Sequence, residues 1–209
     1  MIEVLLVRHG ETTWNIEGRI QGYFADSPLT EKGVVQAAAV AERLAREGIE
    51  RLFSSDAGRT RETARPVVQA TGLEAVFDPD LRERNYGIFE GRTYADVERE
   101  YPVHYQAFRA RDPHHQLPGG ESALQFRDRI VAALTRIAQP AQAGRIAVIT
   151  HGGVLGVMYR HATSLALGAK RDYPIDNASI NRLGFAHGRW QLIAWGDVAH
   201  LGDLARDEA

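Results

Sequence analysis

The sequence predicts an α/β fold of three layers: a mostly parallel sheet with helices on both faces, a small helical cap insertion and a C-terminal hairpin. Three observations predict it. Short apolar runs of buried-strand length alternate with amphipathic stretches, as in βαβ units. An aromatic, proline-punctuated segment at 84–118 interrupts that alternation. Two short runs near the end, 180–186 and 190–195, flank Gly188 and read as a hairpin.

In chain order, residues 2–7 (Ile-Glu-Val-Leu-Leu-Val) form an apolar, branched run of buried-strand length. Residues 30–48 turn helical, with Val34, Ala37, Ala38, Ala41, Leu44 and Ala45 at helical spacings and Gly48 where a C-terminal cap belongs. Residues 50–54 make a second short strand. A helix follows over 59–70, in which Pro66 predicts a kink or a late start. Residues 74–77 make a third strand. The 84–118 segment holds Tyr86, Phe89, Tyr94, Tyr101, Tyr105 and Phe108 between Pro102, Pro113 and Pro118, and reads as a helical cap. An amphipathic helix returns over 121–139, with Leu124, Ile130, Val131, Leu134 and Ile137 apolar. Residues 145–150 (Arg-Ile-Ala-Val-Ile-Thr) form another buried strand, followed by Gly152-Gly153 and a helix to about residue 167. The acidic tail, 202–209, is expected to fray.

Composition sets limits on function. The chain has 209 residues, which predicts one domain spanning 1–209 with 84–118 as its insertion. It contains no cysteine, so disulfides, thiolate-ligated zinc and a thiolate nucleophile are excluded. A net charge of −2 offers no global field for nucleic acid or an anionic membrane. No apolar run approaches the ~18 residues that span a bilayer, and no secretory leader is apparent at the amino end, so a cytoplasmic protein is expected.

In sheets of this kind the ligand crevice lies outside the carboxyl ends of the strands. Residues with chemistry stand at those ends. The first run leads into Arg8-His9-Gly10-Glu11-Thr12, the second into Ser55-Asp56 and Arg59. The third leads into Leu81-Arg82-Glu83, and 145–150 into His151-Gly152-Gly153. Any one of these alone is an ordinary turn or solvated charge. Four at four strand ends point to an active site.

The residue types suit phosphoryl transfer. Arg8 and Arg59 offer planar, bidentate donors to phosphoryl oxygens. Backbone amides near Gly10 and at the helix start by Arg59 add more. A neutral imidazole is a nucleophile near neutral pH, and a second, protonated one holds equatorial oxygens. Glu83 can protonate a leaving alkoxide. With cationic side chains stabilising the charge, no metal is required.

These residues resemble the histidine phosphatase, or phosphoglycerate-mutase-like, superfamily, whose signature Arg-His-Gly-Glu/Gln-Thr stands here as Arg8 to Thr12. Similarity continues through Asn15, Gly18-Arg19-Ile20-Gln21-Gly22, Asp26, Leu29-Thr30, Gly33, Ser54-Ser55, Arg59 and Thr63-Ala64. It extends to Leu81-Arg82-Glu83, Gly87, Glu90-Gly91, Pro118 to Ser122, His151-Gly152-Gly153, Asn177-Ala178-Ser179 and His200-Leu201. The resemblance implies that His9 is phosphorylated during turnover, that Arg8, Arg59 and His151 complete the phosphate pocket, and that Glu83 is the proton donor. It implies that Asn15, Gln21, Gly22 and Gly152 lie on the substrate side, while Thr12 supports the nucleophile loop. No cofactor is implied.

The superfamily holds phosphatases and mutases. Gly87-Ile88-Phe89-Glu90-Gly91 is the phosphatase-like form of the stretch after the acid, although Asn85-Tyr86-Gly87 approaches the mutase version. The aromatic insertion, with Arg92, Arg99, Arg109 and Arg111 scattered among acids, points to a leaving group with an apolar part more than to a small diacid; simple packing of a helical cap explains it equally. A phosphomonoester hydrolase is therefore expected. Alternatives are a cofactor-dependent phosphoglycerate mutase, a dedicated α-ribazole-phosphate-type phosphatase, and a non-catalytic phosphate-binding module. The expected partner is a small phosphorylated substrate, with a homodimer through the hairpin edge as a further expectation. His114-His115 read as solvated or as cap residues near the mouth, and Gly152, Gly153 and Gly156 as permitting close packing.

Overall fold

Six strands, β1 (Ile2–Arg8), β2 (Arg51–Ser54), β3 (Ala75–Phe77), β4 (Gly144–Thr150), β5 (Ile180–Ala186) and β6 (Arg189–Asp197), form one sheet in the order β3-β2-β4-β1-β5-β6. They come from a computed structural model, which describes residues 1–139 and 144–205. The first four strands are mutually parallel, and the hairpin β5–β6 adds antiparallel beside β1. The hairpin turns through His187 and Gly188, both at positive φ, as a two-residue turn between right-twisted strands requires.

β1 is buried on both faces, and its side chains alternate between two cores. Val4 and Leu6 pack with Ile146 and Val148 against Phe126, Ile130 and Leu134 of α6 (Ala123–Ala138) and Leu155 and Met158 of α7 (Gly152–Thr163). Leu5 and Val7 pack with Ala147 and Ile149 against α2 (Glu31–Arg46) and α3 (Gly58–Thr71). Burying each such side chain is worth ~1.5–3 kcal/mol. This is the three-layer arrangement that the alternating runs predict.

Helix ends follow local chemistry. Thr30 accepts the Gly33 amide to start α2, and Ser122 forms a capping box with Gln125 to start α6. The buried face of α2 runs through Gly33, Gln36, Ala37, Val40, Ala41 and Leu44, so Val34 points to solvent, against expectation. The stripe is turned because Gly33 must approach the Glu11 carbonyl, where a Cβ would collide. α3 begins at Gly58 and runs through Pro66, neither late nor ended by it. Ala64 and Val67, buried on either side, hold it against the core despite the ~3 kcal/mol a mid-helix proline costs. α7 stops at Thr163, short of residue 167, because Ser164 adopts the left-handed conformation.

A four-residue helix after the first strand, α1 (Thr13–Ile16), was not anticipated; Thr12 caps it. The insertion contains α4 (Tyr94–Glu100) and α5 (Pro102–Arg109), and its Phe89, Val97 and Leu117 form a small core with Ile20 from the loop after the first strand. Residues 199–205 form two short 3-10 turns across a kink at Gly202, and the rest of the tail expected to fray, 206–209, lies outside the described residues. Among the described residues, no helix is long and apolar enough to cross a membrane.

Candidate active site

β1 and β4 pair in parallel register with Arg8 opposite Thr150. The next residue on each chain is therefore a histidine, His9 and His151, with ring centroids 5.5 Å apart. β2 lies on the other side of β4 and delivers Arg59 in the first turn of α3. The segment after β3 delivers Glu83. Because β5 runs antiparallel, the residues that precede it, 177–179, reach the same edge. Arg8, His9, Arg59 and Glu83 line a single cleft of about 980 Å³, as do Asn15, Gln21 and Gly152.

His9 is almost fully buried and tightly oriented. Its Nδ1 lies 2.8 Å from the Gly10 carbonyl oxygen, which can only accept, so Nδ1 carries the proton. Burial, then Arg59 and Arg8, hold its pKa well below the ordinary imidazole value. The neutral ring therefore has its lone pair on Nε2. The main chain is clamped as well. The His9 amide donates to the Thr150 carbonyl at 3.0 Å, and the His9 carbonyl accepts from Asn177 Nδ2 at 2.9 Å and the Ala178 amide at 3.2 Å.

His151 is wholly buried behind His9 and does not itself line the cleft. Its Nε2 meets Ser55 Oγ at 2.8 Å, and its Nδ1 is buried with no hydrogen-bond partner among the described residues. Burial, Arg59 and His9 keep its pKa well below the ordinary value. The surrounding protein therefore favours the neutral ring, unlike the protonated imidazole that phosphate binding calls for. A phosphoryl dianion beside it reverses the sign of the local field.

Arg59 is 1% exposed. It donates to Asp26 Oδ1 at 2.7 Å and to the Ala25 and Gly22 carbonyls, which leaves a buried Nε without a hydrogen-bond partner among the described residues. Arg8 donates to the Ile175 carbonyl at 2.6 Å. Glu83 accepts the Arg84 amide at 2.7 Å and the Gly153 amide at 2.8 Å. A Cβ at 153 would collide with that carboxylate, so Gly153 is required by close approach.

The remaining expected residues divide between lining and support. Asn15 reciprocates the Thr12 cap and accepts from Asn177 at 3.2 Å. Gln21 donates to Thr12 Oγ1 at 2.8 Å. Gly22 does not line the cleft; its carbonyl anchors Arg59. Two supports received no role from the sequence. Glu90 accepts the amides of Tyr23, Phe24 and Ala25 and so fixes the loop that holds Arg59. Asn177 fixes the nucleophile's carbonyl. The signal for Asn177 was the hairpin itself, since an antiparallel strand beside β1 brings its amino end to the catalytic edge.

The outer cleft adds charge to the apolar part expected of the leaving-group side. Tyr86, Tyr94 and Phe108 line it, but so do Arg84, Arg109, Arg111, Arg160, Lys170 and Arg171. His115 lines it too and meets His104 nitrogen to nitrogen at 3.0 Å, whereas His114 is exposed on the surface.

Residues 4–198 match the family described as histidine phosphatase superfamily (branch 1). A Proteus mirabilis protein named "Probable phosphoglycerate mutase GpmB" is 38% identical over 213 residues, covering 100% of this chain and 99% of its own. Among solved structures, Bacillus stearothermophilus YhfR aligns with a TM-score of 0.89 at 29% identity, covering 96% of this chain and 100% of its own. A mycobacterial glucosyl-3-phosphoglycerate phosphatase, solved with VO3, aligns with a TM-score of 0.81 at 28% identity, covering 93% and 98%.

Proposed function

This chain belongs to the histidine phosphatase superfamily, branch 1, and on that premise we propose that it is a metal-independent phosphomonoester hydrolase acting on small phosphorylated metabolites through a phosphohistidine at His9. The observation that carries this reading is the His9 ring: buried, neutral, with its proton fixed on Nδ1 and two guanidiniums beside it.

Arg8 and Arg59 hold the non-bridging oxygens of the ester, whose charge suits both. Nε2 of His9 attacks phosphorus while the bond to the leaving oxygen breaks in line, and Glu83 gives that oxygen a proton. The incoming dianion favours the protonated form of His151, which adds a charged donor to the pocket. In the second half, the Glu83 carboxylate takes a proton from water, the water oxygen attacks phosphorus, and the N–P bond breaks. The electron pair returns to Nε2 and inorganic phosphate leaves.

Hydrolysis requires water at the phosphohistidine, and an open cleft of about 980 Å³ supports its access. The Proteus mirabilis relative's name favours a second reading, phosphoglycerate mutase. Brief exposure to a ³²P-labelled ester tests the mechanism: label on the wild type should survive alkali and be lost in acid, and His9→Ala should carry none. Acid-stable label overturns it. Phosphate release measured beside interconversion of 2- and 3-phosphoglycerate with a bisphosphoglycerate primer separates hydrolase from mutase.

A further inference from the structure

The floor of the cleft accounts for one phosphoryl group, yet its mouth carries charge that this group does not use. Arg109 ends α5, and Arg111 follows it; Lys170 and Arg171 follow α7. All four are exposed, all four line the cleft, and none pairs with a carboxylate among the described residues. Arg84 and Arg160, by contrast, are tied to the Glu121 and Ala169 carbonyls. Among the described residues, the acidic side chain at the mouth is Asp112, which accepts the His114 amide at 2.9 Å.

The two pairs of cations face one opening. A Cβ at Gly168 would lie 3.1 Å from the Arg111 carbonyl oxygen, so the cap and the loop after α7 touch there. The Tyr94 hydroxyl feels both Arg109 and Arg171, each opposing the effect of burial on that phenol. Between mouth and floor stands an aromatic wall. Tyr94 stacks on Phe108 at 6.2 Å between centroids, and Tyr86 meets Phe108 edge-on. The cleft is as large as sites that take drug-sized ligands, so a three-carbon phosphate would fill little of it.

We propose that Arg109, Arg111, Lys170 and Arg171 form a second anion-binding subsite, and that the substrate is a phosphomonoester with an extended leaving group whose far end is negatively charged. The middle of that group lies along Tyr86, Tyr94 and Phe108. This rests on the phosphoryl-transfer reading of the floor and names the substrate class for it.

Two matched pairs of esters test the subsite. 2-Naphthyl phosphate and 6-sulfo-2-naphthyl phosphate differ by one distal anion on a rigid spacer. Glycerol 3-phosphate and 3-phosphoglycerate differ by one anion close to the phosphate. Exposed charge contacts are individually weak, so four should sum to about a tenfold preference for the sulfonated ester, expressed in KM. The preference should shrink as salt rises. Arg109→Ala/Arg111→Ala and Lys170→Ala/Arg171→Ala should each cut the preference to about threefold and leave turnover of 2-naphthyl phosphate unchanged. Equal kcat/KM for the naphthyl pair, a preference that survives all four substitutions, or a preference confined to the three-carbon pair overturns the proposal. Calorimetric binding of the naphthyl pair to His9→Ala reads the same preference without turnover. A charge preference there with no phosphate release by the wild type removes the hydrolase reading alone.

Discussion

Gly153 donates its amide hydrogen to Glu83 Oε2 at 2.8 Å, and it has no side chain because that carboxylate occupies the space. The proposed acid is thus aimed by the first turn of α7, the helix that follows His151. Gly153→Ala should displace the carboxyl and lower kcat by roughly tenfold to a hundredfold on alkyl phosphates, part of the ~10²–10⁴ that a general acid supplies. p-Nitrophenyl phosphate, whose leaving group departs without a proton, should lose far less. Steady-state rates across esters of graded leaving-group pKa check this; equal losses across the series would contradict the role of Glu83.

The buried histidines predict a pH dependence of stability. The pKa values of His9 and His151 lie well below the ordinary imidazole value when folded, chiefly through burial and then through Arg59. Below about pH 6.5 the unfolded chain binds protons that the folded chain does not, so stability should fall as pH drops through that value. Urea unfolding at stepped pH between 7 and 5 should show the decline, and His151→Asn should make it shallower while His9 keeps its share. His161 and His200, shifted the same way, retain part of the slope.

Asn177 holds the carbonyl of His9 and the side chain of Asn15 at once. Asn177→Ala leaves a buried acceptor short of one donor and frees the nucleophile loop, which should lower kcat by about tenfold with little change in KM. The rate of phosphoenzyme formation in rapid quench is the direct readout.

Leu134 is fully buried on the face of α6 that covers β1 and β4. Leu134→Ala should cost ~2–5 kcal/mol of stability and leave kcat/KM of the folded fraction within about twofold. Urea midpoints beside kinetics at low temperature separate the two effects.

The parallel part of the sheet was legible because its strands are short, branched and apolar, and because α2 carries an apolar spacing that stops at Gly48. Arg8, His9, Arg59 and Glu83 were legible because the strand-end rule names positions as well as residue types. What stayed hidden depends on contacts across the chain. The loop cage of Glu90 joins residues more than sixty positions apart. The turned face of α2 is set by one backbone approach, Gly33 to Glu11. The cationic mouth joins the cap to the loop after α7, segments with no shared pattern in sequence. A net charge of −2 conceals it, because acids elsewhere in the chain balance the sum.

The order of the strands also sets a timetable. β1 is made before the other five strands of this sheet and lies between β4 and β5, which follow β2 and β3 in the chain. At ~5–20 residues per second, the nascent chain waits on the order of ten seconds before β4 exists to pair with it. Val4, Leu5, Leu6 and Val7, all sealed in the finished sheet, have no complete partner set for that interval. The same delay withholds His151 and Asn177, so the pocket around His9 is incomplete until both have been made. Translation that stalls before β4 would therefore release an inert, aggregation-prone fragment that retains the nucleophile but cannot use it.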